Sequence, residues 1–209
     1  MTEVDIDSMN TTKIWLKNYP KGIPAEIDSL GFEDLKDFLD KTLIHGGDRT
    51  AFISMDKKLS YKMLDEYSRD FGAYLHSIGL KSGDKIALMM PNIFQYPIAL
   101  FGAVRAGIIV VNTNPLYTPR EMKLQFQDSG VKAIVIADNF AANLQEIIKE
   151  TKIEHVVLTS IGEMLGAKGV IVNLVIKYIK KLVPSFQLTN TISFSKALKL
   201  GVGKELPEF

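Results

Sequence analysis

The sequence predicts an α/β fold in which a parallel-rich sheet is flanked by helices, and two observations lead to this prediction. Short apolar, β-branched runs such as KIALMM, IIVVN and KAIVIA are typical of strands that are buried on both faces of a sheet. Segments with helical spacing of their apolar residues separate these runs. Strands and helices that alternate in this way form βαβ units, whose strands pair in parallel.

Residues 1–31 are predicted to form an extended N-terminal arm, because Pro20, Pro24 and nearby glycines interrupt any regular element. In one interpretation, Trp15, Leu16 and Tyr19 dock the arm on the rest of the domain. The alternative, which the residues leave open, is an arm exchanged between the subunits of a homodimer.

Residues 32–165 are predicted to form the α/β subdomain. Apolar residues keep helical spacing from residue 32 to residue 44 and again from residue 62 to residue 78. Between these two helices, the runs AFIS and LSY surround the charged turn MDKK, which predicts a small hairpin.

The alternating part of the subdomain follows. KIALMM predicts a strand, and the next helix is expected to begin near Pro91 and to end at Gly107. IIVVN predicts a strand, and PREMKLQFQDSG a helix that ends at Gly130. KAIVIA, NFAANLQEIIKE and HVVLT continue the order with a strand, a helix and a strand.

The stretch VNTNPLYTPRE contains the start of a helix. Thr118 and Glu121 are three residues apart, which is the spacing of a capping box. Pro119 lies between them at the first helical position, where its missing N–H is not needed.

The first half of the same stretch is a candidate site. Since IIVVN is a strand, the loop after it lies at the carboxyl edge of a parallel sheet, where ligands bind. Asn112, Thr113 and Asn114 are therefore candidate residues for the wall of a substrate pocket. The alternative is that the loop only joins a strand to a helix.

Residues 166–184 are predicted to form a basic amphipathic helix. On a helical wheel, Asn173, Lys177, Lys180 and Lys181 lie on one side, and apolar residues cover most of the rest. The lysines Lys177, Lys180 and Lys181 are candidates for contact with the surface of an anionic membrane. The alternative is that the helix packs on the core of the domain. Residues 185–209 are predicted to be a mixed tail.

Composition excludes several classes of function. The net charge of +1 does not favour a nucleic-acid partner, and the absence of cysteine excludes disulfides, a thiolate nucleophile and a cysteine zinc site. No apolar run reaches the roughly 18 residues that span a bilayer, and the acidic N-terminus is unlike a secretory signal. We expect a cytoplasmic protein, with peripheral contact to the inner face of the membrane as an open addition.

No complete catalytic motif is present. His45, His76 and His155 are far apart, and neither HExxH nor GxSxG occurs. The glycine-rich GVGK, residues 201–204, is followed by Glu205 rather than by the serine or threonine of a phosphate loop. We therefore assign no catalytic, cofactor-binding or metal-ligating residue.

Several stretches carry a family resemblance: WLKNYPKGIP, DRTAFIS, LSYKML, RAGIIVVNTNP, DSGVKAIV and VIKYIKKLVP. Together they resemble the N-terminal part of bacterial long-chain fatty-acid–CoA ligases, which belong to the adenylate-forming, AMP-binding superfamily. LSYKML is similar to the first core motif of the family and RAGIIVVNTNP to the second. The resemblance runs from about Lys13 to the end of the chain.

This resemblance implies the first part of the large N-terminal domain of an adenylate-forming enzyme. Such an enzyme uses ATP with Mg²⁺ to convert a long-chain fatty acid into an acyl-adenylate, and then transfers the acyl group to coenzyme A. The family's phosphate loop, ribose-binding aspartate and mobile lid follow the region that this chain resembles. We therefore expect a fragment that is inactive alone. For the helix of residues 166–184, the resemblance adds the alternative that it lines an acyl channel of the full enzyme. The alternative is a stand-alone α/β module that docks on a membrane or binds a protein.

Overall fold

The computed structural model describes residues 13–26, 31–206 and 208, and the chain divides into two units, Met1–Glu33 and Asp34–Phe209. In the first unit, Ile14–Asn18 form a short 3₁₀ helix, and the side chains of Lys13 and Glu26 form an ion pair. The other parts of the predicted arm, residues 1–12 and 27–30, lie outside the described residues. Exchange of the arm between subunits stays a prediction.

The second unit contains helices and strands in the predicted alternation. Its α-helices, within the described residues, are α1 (Leu35–Gly46), α2 (Tyr61–Ser77), α3 (Gln95–Arg105), α4 (Pro119–Ser129), α5 (Ala141–Ile147), α6 (Ala167–Leu174) and α7 (Phe194–Gly201). Its strands are β1 (Thr50–Ser54), β2 (Lys57–Ser60), β3 (Lys85–Met89), β4 (Ile109–Asn112), β5 (Ala133–Ala137), β6 (His155–Thr159) and β7 (Thr191–Ser193).

Five strands form one sheet in the order β4-β3-β5-β6-β7, and every neighbouring pair is parallel. Leu88 in β3 is in register with Asn112 of β4 on one side and with Val135 of β5 on the other. The α/β prediction with a parallel-rich sheet is therefore confirmed.

The two faces of the sheet belong to two apolar cores. Ile86 and Leu88 pack into the core that contains residues of α2, α3 and α7, whereas Ala87 and Met89 pack into the core that contains residues of α4 and α5. Successive side chains of a strand point to opposite faces, so a strand covered on both sides must be apolar at every position. Strand β5 shows this most fully, because all of its residues are buried.

Strands β1 and β2 form a separate antiparallel hairpin, as predicted. The turn residues Met55 and Asp56 both have positive φ, at 48° and 65°. Two consecutive residues of this kind give the turn whose twist matches that of paired strands.

The helix expected near Pro91 begins later, at Gln95, so the predicted start is wrong. The N–H of Ile93 donates to the carbonyl of Pro91 at 2.8 Å and forms a turn. This turn places Ile93 and Phe94 in the core that contains α3, with 8% and 3% of their surface exposed. Helix α3 thus begins about one turn after the predicted position, and the turn before it buries the side chains of Ile93 and Phe94.

The region predicted as a tail contains the fifth strand and a helix. Ser193 accepts the N–H of Lys196 at 3.3 Å and caps α7. Phe194 and Leu198 are buried in the core, and a Cβ atom on Gly201 would lie 1.8 Å from the carbonyl oxygen of Asp70. Helix α7 therefore packs closely against α2, and the sheet continues into this region.

A buried arginine joins the first three helices. Arg105 of α3 is 6% exposed; its Nε lies 2.9 Å from Oδ1 of Asp40, and its Nη1 lies 2.8 Å from Oδ1 of Asp65. The same Nη1 donates to Oγ of Ser68 at 2.9 Å. The two carboxylates compensate the charge of a cation that would be costly to bury alone.

Candidate functional site

The strand order reverses at the centre of the sheet. From β3 the chain leaves through α3 on one face, and from the neighbouring strand β5 it leaves through α5 on the other. In open α/β sheets, ligands bind in the crevice that such a reversal opens at the carboxyl ends of the strands. This edge is therefore the candidate functional site of the chain.

The three predicted wall residues lie at the β4 end of this edge. The exposed Asn112 ends β4, and its Oδ1 accepts the hydroxyl of Tyr96 at 3.0 Å. Thr113 is 4% exposed and donates its N–H to the carbonyl of Leu88 at 3.0 Å. Of the three predicted wall residues, Asn112 and Asn114 are exposed and Thr113 is buried.

Asn114 also has a local role. Its Oδ1 accepts the N–H of Leu116 at 3.0 Å, and its carbonyl accepts the N–H of Tyr117 at 3.0 Å. These bonds form the turn between β4 and α4. Neither of the two cavities described below is lined by Asn112, Thr113 or Asn114, so their role in a pocket stays a prediction.

The capping box at the start of α4 is confirmed. Oγ1 of Thr118 accepts the N–H of Glu121 at 3.4 Å, and Oε2 of Glu121 accepts the N–H of Thr118 at 2.8 Å. The hydrogen bond from the Thr118 N–H lowers the pKa of Glu121, with a second contribution from the Thr118 hydroxyl. The loop is thus fixed at its helical end.

A polar cavity of about 430 Å³ lies at the other half of the edge, next to β5, β6 and β7. Asp138 directly follows β5, Ser160 follows β6, and Ser193 ends β7. Thr159, Glu163 and Asn173 also contribute to its polar lining. Sequence reasoning missed these residues, although four of them stand at or next to the ends of predicted or observed strands.

A series of hydrogen bonds passes through two residues that line this cavity, Thr159 and Glu163. Gln95, which is 1% exposed, donates Nε2–H to Oγ1 of Thr159 at 2.8 Å. The Thr159 hydroxyl donates to Oε2 of Glu163 at 2.8 Å, and Oε1 of Glu163 accepts the N–H of Ser195 at 2.8 Å. The chain of bonds connects α3, β6 and α7, so Glu163 positions these elements.

The environment of the cavity changes the pKa of Asp138. Burial raises the pKa of Asp138, and the N–H of Asn139 and the charge of Lys177 oppose that rise. The nearby Glu163 carboxylate raises the pKa further. Within the described part of the chain, no group of three or more His, Cys, Asp or Glu side chains could hold a metal ion.

An apolar cavity of about 340 Å³ lies between the hairpin and the start of α3. The hairpin contributes Phe52 and Ile53, and the α3 region contributes Phe94, Leu100 and Phe101. These side chains offer little to a charged or polar ligand. The two cavities thus differ in chemistry, with carboxylates in one and aromatic and aliphatic groups in the other.

The predicted basic helix is shorter than expected. Helix α6 continues into a π-helical turn, Val175–Ile179, and ends there rather than at residue 184. Lys181 has a positive φ of 51°, and Leu182 donates its N–H to the carbonyl of Ile176 at 3.0 Å. A left-handed residue with this hydrogen bond is a common helix stop.

The three candidate membrane lysines therefore do not belong to one continuous helix. Lys177 belongs to the π-helical turn, whereas Lys180 and Lys181 follow it, and all three are exposed. In the described residues, no helix has both the length and the apolar character needed to cross a membrane.

Comparison with known proteins identifies related sequences. A family model described as AMP-binding enzyme matches residues 39–175. Curated long-chain-fatty-acid–CoA ligases from Escherichia coli O6:H1 and Haemophilus influenzae are each 49% identical over 191 residues. Each alignment covers 90% of this chain and 34% of the relative, so the chain spans about a third of the length of these relatives.

Solved structures of low sequence identity share the fold. The A-PCP didomain of a carboxylic acid reductase from Segniliparus rugosus, in complex with AMP, has a TM-score of 0.66 at 14% identity. It covers 87% of this chain, which in turn covers 28% of that structure. A long-chain-fatty-acid-CoA ligase from Archaeoglobus fulgidus has a TM-score of 0.60 at 18% identity, with 84% of this chain and 33% of that structure covered.

Proposed function

Because the chain belongs to the AMP-binding enzyme family, we propose that it forms part of a long-chain fatty-acid–CoA ligase. The observation that carries the proposal is its 49% identity, over 90% of its length, to curated ligases of that name. In the proposed reaction, a fatty-acid carboxylate attacks the α-phosphate of ATP and pyrophosphate leaves. The thiol of coenzyme A then attacks the acyl carbonyl and releases AMP.

We propose further that the chain alone does not catalyse this reaction. The relatives are about three times as long as the matched region, and the resemblance places the phosphate loop and the lid in their remaining length. We assign neither a metal ligand nor an ATP-binding residue to this chain. Its contribution is the sheet and the carboxyl-edge crevice.

Pyrophosphate exchange tests the proposed inactivity directly. The purified chain is mixed with palmitate, ATP, Mg²⁺ and labelled pyrophosphate, and the E. coli relative serves as the positive control. We expect exchange by the relative and none above the blank by the chain. Exchange by the chain itself would show that it contains a working active site.

A chimera tests the proposed family activity. The matched region of the E. coli ligase is replaced by this chain, and palmitate-dependent pyrophosphate release is measured. The matched control carries the corresponding region of the H. influenzae ligase, which is equally similar to this chain. We expect both chimeras to be active. A folded but inactive chimera beside an active control would contradict the proposal.

Asn112, Thr113 and Asn114 are proposed to form one wall of a pocket that the rest of the enzyme completes. Asn112 is the best test, because its side chain is exposed and contacts only the Tyr96 hydroxyl among the bonds described above. In the chimera, Asn112→Ala is expected to lower kcat/KM several-fold without a change in Tm. An unchanged kcat/KM would indicate that the loop is only a connection.

The second candidate function is a stand-alone α/β module that docks on a membrane or binds a protein. It is favoured by the apolar side chains that α6 and the residues after it expose. The chimera separates the two candidates, since a module of this kind would not restore ligase activity.

A further inference from the structure

The apolar cavity between the β1–β2 hairpin and the start of α3, which we call the hairpin cavity, has the size of a small-molecule site. Its volume of about 340 Å³ falls within the range of ligand pockets, roughly 300–1,000 Å³. Four aromatic rings line it, those of Phe52, Phe94, Tyr96 and Phe101. Among the described residues of its lining, none carries a charge.

The two walls of the hairpin cavity differ in how they are supported. The wall at the start of α3 belongs to the core, since Ile93 and Phe94 are only 8% and 3% exposed. The wall on the hairpin is exposed, with 40% for Phe52 and 66% for Ile53. A two-stranded hairpin is only marginally stable by itself, so this second wall depends on contacts made elsewhere.

Two lysines supply such contacts at the hairpin. Nζ of Lys57, in β2, donates to the carbonyl of Met164 at 2.8 Å. Nζ of Lys168, in α6, donates to the carbonyl of Met55 at 2.9 Å and pairs with Asp56 at 3.1 Å. These contacts join residues that are 107 to 113 positions apart in the chain. The hairpin is therefore attached at its turn, and the cavity is formed before any ligand binds.

The lining of the hairpin cavity selects the chemistry of its ligand. An ionised group would leave water without meeting an opposite charge there, which is costly. Aromatic walls favour aromatic ligands, whose rings stack offset or edge to face. Because an engineered apolar cavity of about 150 Å³ binds benzene, the volume of about 340 Å³ has room for two fused rings. The exposed Asn92 offers its amide to one polar substituent.

Tyr96 connects the hairpin cavity to the carboxyl edge of the sheet. Its ring lines the cavity, and its hydroxyl donates to Oδ1 of Asn112 at 3.0 Å. Asn112 itself does not line the cavity. A ligand that stacks on the Tyr96 ring would therefore change the surroundings of Asn112 without contacting it.

We propose that the hairpin cavity binds an uncharged molecule with two fused aromatic rings, and that Tyr96 transmits its presence to Asn112. A fatty-acid carboxylate or a nucleotide phosphate would meet no positive group among the described lining residues. The cavity is thus distinct in chemistry from a site for the substrates of the proposed ligase. The proposal goes beyond ligase activity and does not depend on it.

Calorimetric titration tests the chemistry of the ligand. The 209-residue chain is titrated at pH 7 with 2-naphthol, which is uncharged, and with 2-naphthoate, which has the same rings and a carboxylate. We expect saturable binding of one 2-naphthol per chain, and binding of 2-naphthoate that is weaker by roughly tenfold or more. Equal affinities, or no saturable binding of 2-naphthol, would overturn the proposal.

Two variants of the hairpin wall test the location of binding. Ser54→Phe fills the cavity and should abolish binding. Ile53→Ala shortens an exposed side chain of the wall, so it should weaken binding several-fold and leave the protein folded. The matched control is Ile109→Ala, at a strand position that is also exposed and does not line the cavity. Equal binding by all three variants would place the ligand elsewhere and refute the assignment.

Nuclear magnetic resonance tests the connection through Tyr96. In the parent chain, 2-naphthol should shift the signal of the Asn112 side-chain amide. In Tyr96→Phe, which keeps the ring and loses the hydroxyl, 2-naphthol should still bind and the Asn112 signal should stay in place. A signal that does not move in the parent, or that moves equally in both proteins, would contradict transmission by Tyr96.

The chimera tests a competing occupant, which is the remaining length of the ligase. We expect the folded chimera to bind 2-naphthol about as tightly as the 209-residue chain does. Loss of binding in the chimera would show that another part of the enzyme covers the cavity, and would overturn the proposal. Calorimetry gives this result whether or not the chimera is active, so the two proposals fail separately.

Discussion

Helices α4 and α6 each follow a strand of the same sheet, and the sequence of each has one apolar and one polar side. Helix α4 turns Met122 and Phe126 into the core, where both are fully buried. Helix α6 does the reverse, because Asn173 is hydrogen-bonded to the sheet edge while Ile171 and Leu174 face solvent. The difference shows that an amphipathic pattern defines two sides of a helix, whereas the available partners decide which side is buried.

The largest effect is expected from matched truncations on the apolar sides of the two helices. Phe126→Ala should lower the free energy of unfolding by about 3–5 kcal/mol, since it opens a cavity in a closed core. Leu174→Ala should change it by less than about 0.5 kcal/mol, because that side chain is half exposed. Urea denaturation measures both, and similar losses would refute the orientation of α6.

Asn173→Ala tests the polar attachment of α6. The substitution removes two hydrogen bonds and leaves the N–H of Gly162 without its acceptor, which should cost about 1–3 kcal/mol. Hydrogen exchange should become faster in residues 167–179 and stay unchanged in α4. Val170→Ala, at an exposed position of the same helix, is the control. Equal exchange in parent and Asn173→Ala would show that other contacts hold the helix.

Thr118→Ala tests the corresponding attachment of α4, which is a helix cap rather than a long-range contact. Loss of the capping hydroxyl should lower the free energy of unfolding by about 1 kcal/mol. The protein should remain folded, because Met122 and Phe126 still hold the helix. A loss as large as that of Phe126→Ala would mean that the cap, not the core, positions α4.

The smallest effect concerns Asp138, at the polar cavity that α6 lines. Burial raises the pKa of Asp138 in the folded state, so its contribution to stability is present below its unfolded pKa and is lost as the pH rises through the folded pKa. Asp138→Asn should therefore unfold at a slightly higher temperature than the parent at pH 7, with the gain shrinking as the pH approaches the ordinary range of an aspartate. A destabilised variant at pH 7 would indicate that the ionised carboxylate is needed.

Predictability from sequence differed between the central sheet and its carboxyl edge. The run KAIVIA predicted a strand buried on both faces, and every residue of β5 is buried. The polar residues at the carboxyl edge were harder to predict. Gln95 is distant in sequence from Thr159 and Glu163, and the three residues form a site only through their hydrogen bonds. No local pattern marks such a set before the strand order is known.

Local sequence patterns were also insufficient to predict the structure of residues 185–209. Strand β7 is only three residues long, and its apolar content is too small to stand out in the sequence. Pairing with β6 supplies its hydrogen bonds, and burial of Phe194 against α2 supplies the apolar contacts of α7. Tertiary contacts thus stabilise a strand and a helix that were predicted only as a tail.

Patterns in the sequence were sufficient to predict the α/β class, the alternation of strands and helices, the hairpin, and the capping box at Thr118 and Glu121. Each of these depends on residues that are close in the chain, whose spacing and backbone preferences act locally. Long-range contacts set which side of α6 faces solvent, which residues line the polar cavity, and the addition of a fifth strand to the sheet. These features depend on partners distant in sequence, and the periodicity of one segment contains no information about its partner.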